Sequence, residues 1–308
     1  ILAAGSSSRL WPFSEDRHKS LVSIFGKPLI IYTIEAIKRA GVLDIIVVTD
    51  DEQRTRSVIG ETIGVNISYV VQKEALGMGD ALLQAKDLLS DSFLLTSGYH
   101  VDADVFIQKL LLKKRSGAVL LLKRRKDYWE HGVVTVEGEK VTSVEEKPKD
   151  NTQKEKLCIV GLYYLSKDFL ETLKQTPVTH YHLETVLDTY AKKKDISYVE
   201  VYNDSVSLKY PWDLLEIKDY LLKKIKKQTG KNYQIATTAE VIGDVSFGDN
   251  VKVFEGARIK GPCYVGNNAT IGTNSILRNG TIIEDNCVVG ANMEIKNSIV
   301  MQNSTTHS

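Results

Sequence analysis

Apolar positions follow two different rhythms, and the change of rhythm divides the chain. Over the first two thirds, short apolar runs alternate with amphipathic segments. Residues 1–4 read as the end of a buried strand that enters a small-residue loop over 5–9. The spacing predicts a helix over 29–40, closed by Gly41, and the β-branched run 44–49 predicts a buried strand. Further along come a helix over 81–89, a central strand at 93–96, a helix over 106–114 and a strand at 118–123. A hairpin follows, 133–136 against 141–145, turned by Glu137-Gly138. Residues 214–227 read as a long helix and 228–233 as a linker. Alternating strands and helices, with strands apolar throughout, predict an α/β domain with a mostly parallel, doubly wound, Rossmann-like sheet.

From Ile235 helical periodicity vanishes and a period of six replaces it. Val241, Phe247, Val253, Ile259, Val265, Ile271, Leu277, Ile283, Val289, Ile295 and Met301 are all apolar. At 43% apolar content, chance gives such a run roughly 10⁻⁴ per register. Smaller residues recur four positions later, among them Val251, Ala257, Cys263, Ala269, Ser275 and Cys287. The expected structure is a left-handed parallel β-helix of hexapeptide repeats, three to a coil, about four coils in all. A β-sandwich would show period two instead. The domains are therefore expected at 1–228 and 235–308. The open end at Ser308 reads as a truncated β-helix, or one covered by another subunit. The missing initial Met suggests that leading residues, the start of the first strand, are absent.

Length and charge add bounds. At 308 residues two domains are expected. Forty basic residues against 39 acidic give a net charge of +1, with no bias toward nucleic acid or membrane. Local basic runs at 123–126 and 223–227 read as solvated surface. No stretch reaches the roughly 18 apolar residues of a membrane span, and no signal peptide is evident. Cys158, Cys263 and Cys287 are odd in number and far apart, which argues against disulfides or zinc and for a cytoplasmic location.

The chemistry-bearing motifs stand in order. The opening Leu2-Ala3-Ala4-Gly5-Ser6-Ser7-Ser8-Arg9-Leu10-Trp11-Pro12, with Lys19 after it, resembles the signature of sugar-1-phosphate nucleotidylyltransferases. A strand entering a small-residue loop exposes N–H groups that can cradle phosphates, and Arg and Lys can hold the phosphate charge. Gln72 and Gly77-Met78-Gly79-Asp80-Ala81 resemble the loop that reads the base. Glu145-Glu146-Lys147-Pro148 resembles a motif whose Glu and Lys grip sugar and phosphate, and Tyr210-Pro211-Trp212-Asp213-Leu214-Leu215 resembles a stretch common in archaeal-type members. The resemblance spans essentially the whole chain, and is greatest to bifunctional enzymes joining an N-acetylglucosamine-1-phosphate uridylyltransferase to a glucosamine-1-phosphate acetyltransferase.

The resemblance implies transfer of a nucleotidyl group from UTP or dTTP to a sugar 1-phosphate, with pyrophosphate released. Arg9 and Lys19 would be catalytic. Leu2, Ala3, Ala4, Gly5, Ser6, Gln72 and Gly77 would bind nucleotide, and Glu146, Lys147, Gly132 and Gly161 the sugar phosphate. Mg²⁺ is implied as cofactor, yet Tyr99 and Ser207 stand at the two positions expected to be metal-binding Asp. A phenol and a hydroxyl carry no charge at neutral pH. Asp102, Asp104, Asp204 and Asp213 are nearby acids that could substitute. Ile159 stands where a sugar-binding Asn is expected, Ser7 and Met78 replace a Gly and a Thr, and no Gly-Glu pair is evident near 179–184. In the β-helix, Arg278, Lys296 and His307 resemble acetyltransferase stations, which would imply acetyl-CoA; a tail histidine with no role is the alternative. His180-Tyr181-His182 reads as a loop. The expected partners are a nucleoside triphosphate and a sugar 1-phosphate, with a homotrimer through the β-helix. Two alternatives stay open: a degenerate homologue acting as a regulatory or scaffold subunit, and a protein active only in acetyl transfer.

Overall fold

The structure, a computed structural model, describes the chain except residues 16, 62–63, 114–116, 150–153, 180, 203–204, 207, 226 and 308. Contacts divide it into two compact units. The first comprises Ile1–Val22 and Pro28–Lys209, the second Ser23–Lys27 and Tyr210–Ser308. The boundary thus falls at Lys209–Tyr210, ahead of the expected 228.

In the first unit, β1 (Leu2–Ala3) leads through the small-residue loop to α1 (Leu29–Arg39). The strand β2 (Asp44–Thr49), α2 (Glu52–Ile59), β3 (Asn66–Val71) and α3 (Met78–Gln84) follow. Next come β4 (Ser92–Thr96), α4 (Ala103–Leu112), β5 (Ala118–Arg125) and the hairpin β6 (Gly132–Glu137) and β7 (Lys140–Glu146). The unit closes with β8 (Lys156–Ser166), α5 (Phe169–Gln175), α6 (His182–Ala191) and β9 (Ile196–Val201). Strands β1, β2 and β3 form one parallel sheet, and the second sheet runs β4-β8-β5-β9-β7-β6. A parallel bridge from Leu2 to Ser97 links the two. Strands β5 and β9 pair in parallel, but β8 enters antiparallel between β4 and β5. Only residues 147–155 connect the hairpin to β8, fewer than the dozen or so that a parallel crossover needs, so the chain returns in the opposite sense.

Both faces of this sheet are covered, which is why its strands read as unbroken apolar runs. Along β5, Ala118, Leu120 and Leu122 join one core with α3, α5 and α6, while Val119 and Leu121 join another with α1 and α4. Helix α1 buries Ile30, Thr33, Ile34 and Ile37 at helical spacing, and Gly41 past its end adopts φ +89°. The expected helix at 81–89 starts earlier, at Met78, and breaks into a 3-10 turn at Lys86–Leu88. The helix expected over 106–114 runs three residues earlier; Lys114 lies outside the described residues.

The second unit is a parallel β-helix preceded by α7 (Asp213–Leu222). That helix ends five residues short of the expected Lys227. Lys218 is fully buried, its ammonium donating to Gly280 O at 3.0 Å and Asn297 Oδ1 at 2.6 Å and pairing with Asp219. The segment read as a linker already belongs to the solenoid, since Thr229 bridges Phe247. Three parallel faces of five, four and four strands stack with an 18-residue rise. Val253, Ile259, Val265, Ile271, Leu277, Ile283 and Val289 fill the core as the period predicts. Val241 is 37% exposed instead, and the final station shifts. Ile283 registers with Val300, not Met301, because the last coil drops one residue near Asn297. Corner asparagines 232, 250, 268, 286 and 303 all take left-handed φ and hydrogen-bond in a ladder up the stack. Also in this unit, Glu284 accepts the N–H groups of Phe25 and Gly26, both at 2.7 Å. Among the described residues no helix is long and apolar enough to cross a membrane.

Candidate functional site

A cavity of about 320 Å³ opens in the first unit where the carboxyl ends of β4, β5, β7 and β9 come together. Crevices at such strand ends are the usual ligand sites of open α/β sheets. Arg9 enters from a 3-10 turn, Gly77 and Met78 from the start of α3, and Tyr99 from just past β4. Arg125 ends β5, Gly132 opens β6, Glu146 and Lys147 close β7, and Ile159, Gly161 and Tyr163 come from β8. Tyr181 and Glu184 project from the start of α6, and Val206 and Lys209 from the segment after β9. A larger cavity of about 530 Å³ near Ile1 is lined mainly by apolar side chains of β2, β4 and their neighbours, and brings no group of charged side chains together.

Local backbone geometry explains much of the site. Gly5 has φ +113° and open space where a side chain would stand, so a ligand can approach its backbone. Ser7, at a position expected to need Gly, holds φ +49°; its Oγ accepts the Lys19 N–H at 3.1 Å. Lys147 likewise sits at φ +50°, its N–H donating to His131 O. Each left-handed non-glycine residue costs on the order of 1 kcal/mol and is typical of ligand-binding segments. Gly161 (φ +91°) lies in a register shift of β8 between Ile159 and Tyr163, which turns that strand's backbone toward the cavity.

The structure gathers six of the expected side chains or glycines on one cavity: Arg9, Gly77, Gly132, Glu146, Lys147 and Gly161. Lys19 is a near neighbour. Its ammonium donates to Leu208 O at 2.7 Å and lies 4.3 Å from the centre of the Tyr99 ring, which lines the cavity. Leu2 and Ala3 are buried strand residues. Ala4 O accepts a hydrogen bond from buried His18, whose imidazole is pushed down to about 3 chiefly by burial. Ser6 is exposed. Gln72 is buried, its amide donating to Gly77 O at 3.1 Å and Asp80 Oδ2 at 2.7 Å, so it shapes the loop before α3 from behind. His182 packs on Gly79, where a β-carbon would come within 2.6 Å of its ring, and its Nε2 meets Thr176 O at 3.0 Å; His180 lies outside the described residues.

Several cavity residues were not anticipated. Arg125 was assigned to a solvated run, yet it ends a central strand and faces the cavity. Lys209 approaches His131 Nδ1 at 3.3 Å and donates to Glu130 O; burial lowers its ammonium to about 8. His131, pushed down to about 3 mainly by burial and then by the Lys209 charge, is neutral and can accept that proton donor. Glu184 is only 9% exposed. Burial first, and then the neighbouring Glu146 charge, raise its carboxyl to about 7. Burial likewise raises Glu146, opposed by the charges of Lys209, Lys147 and Arg9.

A resident Mg²⁺ does not fit the residues described. Tyr99 carries the Lys19 ammonium on its ring and stacks on His100 at 4.9 Å between centroids. Asp102 is fully buried, one oxygen accepting Val206 N–H at 2.9 Å and the other 3.6 Å from His100 Nδ1. Asp104 pairs with Arg39, and Asp213 caps the Tyr210 N–H. Ser207 and Asp204 lie outside the described residues. Among the described residues no group of three or more His, Cys, Asp or Glu could hold a metal ion. In the β-helix, Arg278 and Lys296 are register neighbours, with Arg278 held by Glu294 at 2.6 Å. His307 is exposed beyond the last strand, and among the described residues no hydrogen bond or ion pair joins it to either.

The family model for nucleotidyl transferase matches residues 1–213. The chain belongs to the nucleotidyl transferase family. The hexapeptide-repeat model of succinyl-transferase matches residues 262–295 of the solenoid. Among curated relatives of the family, the bifunctional protein GlmU of Methanococcus maripaludis is 29% identical over 265 residues, covering 84% of this chain and 61% of its own length. The chain thus spans about three fifths of that relative. A glucose-1-phosphate thymidylyltransferase of Mycolicibacterium smegmatis is 31% identical over 217 residues, covering 65% of this chain and 73% of its own. A solved Bacillus anthracis structure, assigned as a glucose-1-phosphate thymidylyltransferase, shares the fold: TM-score 0.65 at 23% identity, over 73% of this chain and 95% of that one.

Proposed function

We propose that the first unit transfers a nucleotidyl group from UTP or dTTP to a sugar 1-phosphate. A phosphate oxygen of the sugar 1-phosphate attacks the α-phosphorus, the bond to the β-phosphate breaks, and pyrophosphate leaves. The observation that carries this reading is the convergence of Arg9, Arg125, Lys147 and Lys209 on one cavity with Glu146, in a member of the nucleotidyl transferase family. Cations neutralise phosphate charge, and a carboxylate orients sugar hydroxyls. Arg9 is assigned to the nucleotide phosphates and Lys147 with Lys209 to the sugar phosphate. Lys19 acts from the Tyr99 side. Mg²⁺ is left out as a resident cofactor, because Tyr99 offers no anionic ligand and already carries an ammonium.

That same observation favours a second reading, a homologue that binds these ligands without turnover. One assay separates them: pyrophosphate release from UTP, dTTP, GTP or CTP with a sugar 1-phosphate, with and without Mg²⁺. Release with UTP or dTTP supports transfer; tight binding with no release under either condition overturns it. Acetyl transfer with acetyl-CoA is not proposed, since Arg278 is engaged by Glu294 and His307 stands apart from it. A trimer through the β-helix is carried over from the resemblance and is testable by light scattering. The cytoplasmic assignment is proposed from three free, buried cysteines, whose thiols a reducing compartment would preserve.

A further inference from the structure

We propose that the cavity selects a sugar 1-phosphate bearing a free amine, with its phosphate between Lys147 and Lys209 and its ammonium between Glu146 and Glu184. This rests on the sugar-phosphate reading of the site and names the substrate class within it.

The argument starts at Gly132. A β-carbon there would meet Glu146 Oε2 at 3.0 Å and Glu184 Cγ at 3.7 Å, so two acidic side chains flank one point on the cavity wall. Their surroundings differ. Glu146 faces three cations, Lys209, Lys147 and Arg9. Glu184 is nearly buried and feels only Lys147 as a counter-charge, which ranks behind the opposing effects of burial and Glu146. The Lys147 ammonium itself lies over the Tyr181 ring at 5.2 Å. The hydrogen bond that Glu184 does accept comes from its own N–H, in the first turn of α6. A buried carboxyl with so little compensation is costly unless a cation or donor arrives. Glu184 also lines the cavity, so the ligand can be that donor. A hydroxyl supplies a hydrogen bond but leaves the Glu184 charge with little compensation. An ammonium supplies both, and the zwitterion of an amino-sugar 1-phosphate matches a site with cations on one side and a carboxyl pair on the other.

The test is calorimetric titration of the full chain with glucosamine-1-phosphate, glucose-1-phosphate and N-acetylglucosamine-1-phosphate. Glucosamine-1-phosphate is expected to bind roughly 10–100-fold more tightly than the two neutral-ring sugars, the range of a charge-assisted hydrogen bond to a buried carboxylate. Glu184→Gln is expected to cut the ratio of glucosamine-1-phosphate to glucose-1-phosphate affinity by at least about tenfold. Equal affinities in the wild type, a preference for a neutral sugar, or a preference untouched by Glu184→Gln would each overturn the proposal. The wild-type comparison needs no variant to fold. If glucose-1-phosphate binds without an amine preference, this inference alone falls; if none of the three binds, the sugar-phosphate reading falls with it.

Discussion

Replacing Glu184 by Gln tests the electrostatics of the cavity without any ligand. The groups facing this carboxyl are Glu146, Lys147 and Tyr163, together with its own backbone N–H. Burial and Glu146 raise it from 4.5 to about 7 in the folded chain. Below pH 4.5 both states are protonated and the group contributes nothing. Between 4.5 and 7 the folded chain keeps a proton that the unfolded chain has lost, so stability falls as pH rises through that window. Above pH 7 the loss is complete. With 1.36 kcal/mol per unit, the cost is about 1 kcal/mol at pH 5 and about 3 kcal/mol at pH 8. Gln matches the shape and cannot ionise. Its own amide desolvation is independent of pH, so the difference between the two pH values isolates the charge. Urea unfolding followed by the fluorescence of Trp11 and Trp129 should therefore show Glu184→Gln more favourable at pH 8 than at pH 5 by about 2 kcal/mol. An equal effect at both values, or a larger benefit at pH 5, would refute the reasoning. A ligand carboxyl that costs stability is a familiar trade at binding sites.

Other outcomes follow from the same cavity and from the solenoid core. Lys209→Met should weaken sugar 1-phosphate binding about 10–100-fold by calorimetry. Wild-type affinity should fall as pH passes about 8, where the lowered Lys209 ammonium loses its proton, and Lys209→Arg should move that fall upward. Gly161→Ala, at φ +91° and with a β-carbon 3.3 Å from His100 Nε2, should destabilise the first unit by about 1–3 kcal/mol in urea and lower sugar-phosphate affinity. Leu277→Ala, fully buried in the solenoid, should cost the second unit about 2–5 kcal/mol while leaving sugar-phosphate binding within about twofold.

The solenoid was the most legible part of the chain, because one side chain in six must point inward and nothing else explains that period. Its misses are equally physical: a single residue dropped near Asn297 moves the inward position from Met301 to Val300. In the first unit, strands such as β5 could be read because both faces are buried. The orientation of β8 could not, since strand direction depends on connections rather than on composition. At the site, Arg9, Glu146 and Lys147 stood in recognisable motifs. Arg125 lay in a basic run and looked like surface, and Lys209, a lone lysine between Leu208 and Tyr210, was not singled out. A usable signal for Arg125 was its place at the carboxyl end of an apolar central strand, where ligands of such sheets sit. Glu184 gave no signal at all, because burial and the proximity of Glu146 arise only once α6 packs against β7.

A crystal structure of the full chain with a bound sugar 1-phosphate would test the site most directly. Its phosphate should lie within about 2.7–3.2 Å of the Lys147 or Lys209 ammonium, with the sugar ring between Gly132, Gly161 and Glu146. Ligand bound elsewhere on the chain, with this cavity empty at saturation, would contradict the assignment.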